Sequence, residues 1–176
     1  GFAEHHIRPV PTDASLAMRS DRLAEMIEAD LAEGMVPTAV VATVGTTSTM
    51  AIDPLGSIVR ELDEIFGSSG SPTALHPGRP WLHVDAAMAG GATICEEHRG
   101  LLDGVERVDS YLFNPHKWWG ITFDCTTMWV ADRNPVTDAL SIMPPYLRNE
   151  ASDAGTVVDF RDWQVPLGRR FRSLKI

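Results

Sequence analysis

Apolar residues recur along this chain in two rhythms. From Ser20 to Glu33, Leu23, Met26, Ile27 and Leu31 return at helical spacing, between Ser20 as a cap and Gly34 as a stop, which predicts an amphipathic helix. Thr38 to Val44 reads TAVVATV, a continuous β-branched run that suits a parallel-sheet strand buried on both faces. The helical rhythm returns over Ile52 to Phe66, with Leu55, Ile58, Val59, Leu62, Ile65 and Phe66 on the inner face. Further strands are predicted at Trp81 to Val84, Ser110 to Phe113 and Thr126 to Ala131, and a short helix at Pro135 to Ile142. Strands alternating with helices imply an α/β layer fold. Gly67 to Pro80 is rich in Gly, Pro and Ser and reads as a long loop with no assigned chemistry. No internal repeat is visible.

Composition narrows the range of functions. With 176 residues and 44% hydrophobic content, the chain can bury the core of one domain or of a large part of one. It opens on Gly1 rather than Met, and is expected to be a piece of a longer protein. A net charge of -9 argues against a nucleic-acid partner, which requires a basic surface to neutralise phosphates. The basic cluster Arg169, Arg170, Arg172 and Lys175 reads as a short solvated or salt-bridged run. No apolar run approaches the roughly 20 residues of a membrane helix, so no membrane partner is expected. Cys95 and Cys125 lie far apart without a CxxC, a pattern that fits reduced thiols and a cytoplasmic location. The six His residues form no HExxH and no paired Cys/His spacing, so no metal site is expected. Neither a GxSxG nor a Walker loop is present, which removes support for a serine hydrolase or a nucleotide hydrolase.

Two motifs carry candidate chemistry. WLHVDAA ends an apolar run on Asp85, and NPHKW ends another on Lys117. A carboxylate at the carboxyl end of a strand in an open α/β sheet faces the crevice where ligands bind. Asp85 must cap a turn there or meet a cation, and the residue alone leaves both open. Lys117 is followed by Trp118 and Trp119, so its amine lies among apolar groups that favour the uncharged nucleophile. A surface lysine lying over a Trp face is the competing explanation. An amine together with a carboxylate is what pyridoxal phosphate requires: one to form the Schiff base, the other to hold the ring nitrogen protonated.

Read with GTT at Gly45 to Thr47 and with DFRDWQVPLGRRFRSLK near the end, these motifs resemble the group II pyridoxal-phosphate decarboxylases, most closely their aromatic-L-amino-acid decarboxylase branch. The resemblance runs from about Glu33 almost to the last residue. It implies an aspartate-aminotransferase-like (fold type I) large domain, a mainly parallel sheet flanked by helices. Residues 1–176 would form part of this cofactor-binding domain, with a catalytic loop at about 143–155. An N-terminal segment and a smaller C-terminal domain would lie outside the chain.

The resemblance also implies roles. Lys117 would be the Schiff-base lysine and Asp85 the partner of the pyridine nitrogen. Ala87 would pack against one face of the ring, Asn114 would match a phosphate-binding position, and His116 would contact the cofactor region as a catalytic-site residue. Thr47 would lie near the ring, although an ordinary turn residue explains it too. Tyr146, in MPPYLRN, would be the mobile-loop tyrosine that returns a proton to the substrate carbon, reaching the neighbouring active site in a homodimer; the plain alternative is a surface tyrosine on an exposed loop.

The implied reaction converts an L-amino acid, aromatic by motif resemblance, to its amine and carbon dioxide. An aldehyde synthase of the same family is the alternative, which Tyr146 opposes because that activity is linked there to Phe at this position. A non-catalytic fragment is a third reading, since the isolated chain would lack parts of the site and is expected to be inactive. Met88 stands where many aromatic decarboxylases have Tyr after DAA, so substrate choice is not legible.

Overall fold

The computed structural model describes residues 2–67, 78–141 and 157–176. Four strands, β1 (Ala39–Thr43), β2 (Trp81–Asp85), β3 (Ser110–Phe113) and β4 (Thr127–Val130), form one sheet in the order β1-β2-β3-β4. The first three are parallel, and β4 pairs antiparallel with β3. The helices are α1 (Ser20–Ala32), α2 (Leu55–Phe66), α3 (Pro115–Trp118) and α4 (Asn134–Leu140).

The register places Val40 beside Leu82 and Ala42 beside Val84. These four side chains therefore share one face, and they join Leu23 and Ile27 of α1 and Leu55, Ile58, Val59 and Leu62 of α2 in a single core. Ile58, Leu62, Leu82 and Val84 are fully buried. At about 1.5–3 kcal/mol per large apolar side chain removed from water, this face supplies most of the local drive to fold.

Three expectations change. β1 is not buried on both faces: Val40 and Ala42 are buried, but Ala39 and Val41 are exposed, Val41 to 54%. Both long helices pack into the core on one side, and nothing among the described residues covers Val41. The second helix begins at Leu55 rather than Ile52. Pro54 disfavours the helical conformation for the residue before it, and Asp53 is otherwise engaged: its carboxylate accepts the backbone N–H groups of Met18 at 2.6 Å and Thr43 at 2.7 Å. Ile52 instead bridges Val44. Ser20 is the first residue of α1, not its cap; Arg19 holds the cap position and makes no side-chain capping bond.

Residues fall into two compact units. The first contains the sheet with α1, α2 and α3, and ends at Ala131, with Lys175–Ile176 added. The Lys175 ammonium belongs to it, donating to the carbonyls of Asp124 at 2.9 Å and Thr122 at 3.3 Å. The second, Asp132–Leu174, contains α4 and a 3-10 turn at Phe160–Trp163. Asp159 opens that turn by accepting from the backbone N–H of Arg161 at 3.2 Å.

Candidate active site

In a parallel sheet every strand sends its carboxyl end to the same edge. Here Thr43 lies opposite Asp85, and Asp85 opposite Leu112. The three segments that leave this edge carry Thr47 after β1, Asp85 and Ala87 at and after β2, and Asn114, His116 and Lys117 after β3. Six of the seven candidate residues are thus gathered by the topology alone. The seventh, Tyr146, lies outside the described residues, as does the whole of the predicted catalytic loop at 143–155.

Close backbone approaches tie these segments together. The Ala89 N–H meets the Val44 carbonyl at 3.3 Å. Gly45 has φ +83° and lies so near Ala89 that a Cβ on it would be 2.5 Å from the Ala89 Cβ, so both shape and backbone conformation demand glycine. Gly90 is constrained by space alone: a Cβ there would be 2.6 Å from the Phe113 Cβ and 2.8 Å from the Ala86 Cβ. On the next segment the Trp119 indole N–H donates to the Gly91 carbonyl at 2.8 Å, and its ring stacks edge-on against Phe113 at 4.7 Å. Sequence reasoning passed over Gly45, Gly90, Gly91 and Trp119 as packing residues. The signal was the paired glycine in AAMAGG directly after Asp85.

Asp85 is half-buried at the end of β2. One carboxylate oxygen accepts the Ala87 N–H at 3.0 Å, so the turn-capping role is present. That bond occupies one oxygen; the second has no protein partner among the described residues, nor does any cation pair with the group. Ala87 is half-buried in the turn that follows.

Lys117 lies in α3, a single turn that Pro115 starts at a position where its missing N–H costs nothing. Its backbone is fixed by the Asn114 carbonyl at 3.0 Å, while its half-buried amine has no hydrogen bond or ion pair among the described residues. The apolar enclosure expected from the two tryptophans is not formed, because Trp118 is 50% and Trp119 36% exposed. No stacking of the amine on an aromatic face occurs among the described residues either.

The neighbours are held by local bonds. The Asn114 side-chain carbonyl accepts from the Thr126 hydroxyl at 2.8 Å. His116 Nδ1 faces the backbone of Cys125, with the Cys125 N–H at 3.0 Å, and its ring meets Phe123 edge-on at 4.9 Å. Its structural role is therefore real, and it leaves Nε2 as the nitrogen available to a ligand. Thr46 staples its own turn, with its hydroxyl 2.6 Å from that of Thr49 and accepting from the Ala51 N–H at 3.1 Å. Thr47 beside it is exposed, and its side chain makes no hydrogen bond among the described residues.

A cleft of about 660 Å³ lies elsewhere, lined by Tyr111, Phe113, Trp119 and Trp129 among others, and it contains neither Asp85 nor Lys117. Tyr111 and Phe113 belong to the core face of the sheet, and Gly90 and Trp119, from the segments that brace the site, also line this cleft.

Residues 2–176 match the pyridoxal-dependent decarboxylase conserved domain. This chain belongs to the pyridoxal-dependent decarboxylase family. It is 48% identical over 170 residues to the aromatic-L-amino-acid decarboxylase of Bos taurus, covering 97% of this chain and 32% of that protein. It is 46% identical to the phenylacetaldehyde synthase of Arabidopsis thaliana, covering 100% of this chain and 34% of that one. Among solved structures, Oryza sativa TDC with PLP and tryptamine matches with a TM-score of 0.85 at 46% identity, over 99% of this chain and 34% of that one. The chain therefore has the fold type I architecture of this decarboxylase family, and it spans about a third of the length of these relatives.

The donor set at the sheet edge fits the family's cofactor. A pyridine nitrogen needs a carboxylate with an oxygen to spare, which Asp85 has, and an aldehyde needs an amine not tied up in an ion pair, which Lys117 has.

Proposed function

We propose that the protein to which this chain belongs is a pyridoxal-phosphate-dependent L-amino-acid decarboxylase acting on an aromatic substrate. The observation that carries this reading is the convergence of an unpaired lysine amine and a half-free aspartate at the carboxyl edge of three parallel strands. When bound, pyridoxal phosphate supplies an electron sink for the pair left on the substrate α-carbon as carbon dioxide departs.

The residues of this chain have separate tasks. Lys117 Nζ is the nucleophile that would hold the cofactor through its aldehyde carbon. Asp85 keeps a proton on the ring nitrogen with its free oxygen, while its other oxygen fixes the turn through the Ala87 N–H. Ala87 offers a flat methyl surface to one ring face, and Asn114, His116 and Thr47 contribute contacts around the same edge. Tyr146 gives its phenolic proton to the substrate α-carbon, in keeping with the catalytic loop at 143–155. We place all of residues 1–176 within the cofactor-binding large domain, in a homodimer whose loop serves the neighbouring site. We also propose a cytoplasmic location, which the wide spacing of Cys95 and Cys125 without a CxxC supports.

Aldehyde synthase is the second reading. Similarity does not separate it, since a phenylacetaldehyde synthase and a decarboxylase match at nearly equal identity. Tyr146 favours the decarboxylase. The deciding experiment expresses the full-length reading frame and measures amine, aldehyde and carbon dioxide from a panel of L-amino acids. Amine in step with carbon dioxide from aromatic substrates supports the proposal; aldehyde as the main product supports the second reading.

A further inference from the structure

The face of the sheet opposite the core carries a polar cluster just behind Asp85. In β2, Trp81, His83 and Asp85 alternate onto this face, and the register sets His83 directly opposite Ser110 of β3. Ser110 is 2% exposed. Its Oγ lies 2.7 Å from the Trp81 indole nitrogen and 2.7 Å from His83 Nδ1.

Hydrogen-bond bookkeeping fixes the protons. An indole N–H only donates, so Ser110 Oγ accepts from Trp81. If His83 Nδ1 also donated, the Ser110 hydroxyl proton would have no acceptor in a buried site, since Ser110 has no other side-chain partner among the described residues. Ser110 must therefore donate to His83 Nδ1, which leaves the imidazole proton on Nε2.

We propose that Trp81, Ser110 and His83 form a hydrogen-bond relay that holds His83 uncharged beside Asp85, and that His83 and Ser110 are positioning residues which reserve the Asp85 carboxylate for a cationic ring nitrogen. A protonated His83 two residues away on the same face would compete for that carboxylate. Burial, the largest influence on His83, lowers its pKa from the ordinary 6.5, against a smaller opposing pull from Asp85. Its other lateral neighbours, Val41 on β1 and Ser110 on β3, carry no charge. The functional half of this inference rests on the pyridoxal-phosphate reading; the proton assignment does not.

The test combines two readouts on the full-length protein. Nitrogen NMR of labelled histidine, with the His83 signal identified by its loss in His83→Gln, should find Nδ1 unprotonated and Nε2 protonated near neutral pH, with a midpoint below 6.5. Ser110→Ala should raise that midpoint, and Ser110→Thr, which keeps the hydroxyl, should leave it near wild type. The dissociation constant for pyridoxal phosphate should rise several-fold in Ser110→Ala at mildly acid pH, with a smaller change above neutrality. A proton on Nδ1, or a charged His83 at neutral pH, would overturn the relay even if Ser110→Ala does not fold. A pH-independent effect of Ser110→Ala on cofactor affinity would overturn the link to Asp85. Failure of the wild type to bind cofactor at all would instead sink the functional reading and leave the tautomer result standing.

Discussion

Asp85 lies opposite Leu112 in the parallel register of β2 and β3, so its carboxylate and the segment bearing Lys117 leave the sheet at one edge. Backbone pairing thus brings two segments distant in sequence to the same end of the sheet. The Ala86 N–H extends the match by donating to the Leu112 carbonyl at 2.9 Å, so the turn after Asp85 starts from a fixed position.

Asp85 both caps a turn and offers a charge, and the two roles separate on substitution. Asp85→Asn keeps a side-chain oxygen for the Ala87 N–H but removes the charge. In the full-length protein it should fold normally and, on the proposed function, lose at least about tenfold in kcat, the order of one charge-assisted hydrogen bond. Asp85→Ala should lose as much turnover and some stability as well. Wild-type kcat in Asp85→Asn, measured with thermal unfolding alongside, would reduce Asp85 to a cap.

Gly90 tests how tightly the site is braced from behind. Its missing Cβ leaves room for Phe113 and Ala86, both closer than 3.0 Å to where that atom would stand. Gly90→Ala should destabilise the protein by about 1–3 kcal/mol through overpacking, and should weaken cofactor retention because Ala86 adjoins Asp85. Denaturant unfolding would check the first effect; an unchanged midpoint would mean that the post-β2 segment yields freely.

Tyr146→Phe separates the two activities. Losing only the hydroxyl should leave carbon dioxide release intact but lower the yield of amine, with oxygen-dependent aldehyde, ammonia and peroxide rising in its place. An amine-to-aldehyde ratio equal to that of wild type would take Tyr146 out of the chemistry.

Much of this was legible because it is periodic or local. The inner face of α2 follows from spacing, since Leu55, Ile58, Val59 and Leu62 are the residues that bury. The span of β3 and the placement of Asp85 at a strand end were equally readable, whereas Lys117 lies beyond β3, in the short helix α3. What escaped depends on long-range partners. Asp53 escaped the helix pattern because its carboxylate bonds to Met18 and Thr43, and Ser110 gave no hint of joining Trp81 to His83. The buried pair of Arg79 with Asp109, at 3.1 Å, likewise joins residues far apart in sequence, with Asp109 also accepting the Leu82 N–H at 2.7 Å. The two tryptophans after Lys117 misled because hydrophobic character does not decide burial on a single-turn helix.

The central claim is that Lys117 carries the cofactor, and covalent trapping tests it most directly. Full-length protein loaded with pyridoxal phosphate should absorb in the visible, and borohydride should fix the cofactor irreversibly to one residue. Peptide mass mapping is predicted to place the reduced adduct on Lys117, with no adduct formed in Lys117→Ala. An adduct on any other lysine, or one that persists in Lys117→Ala, would contradict the account.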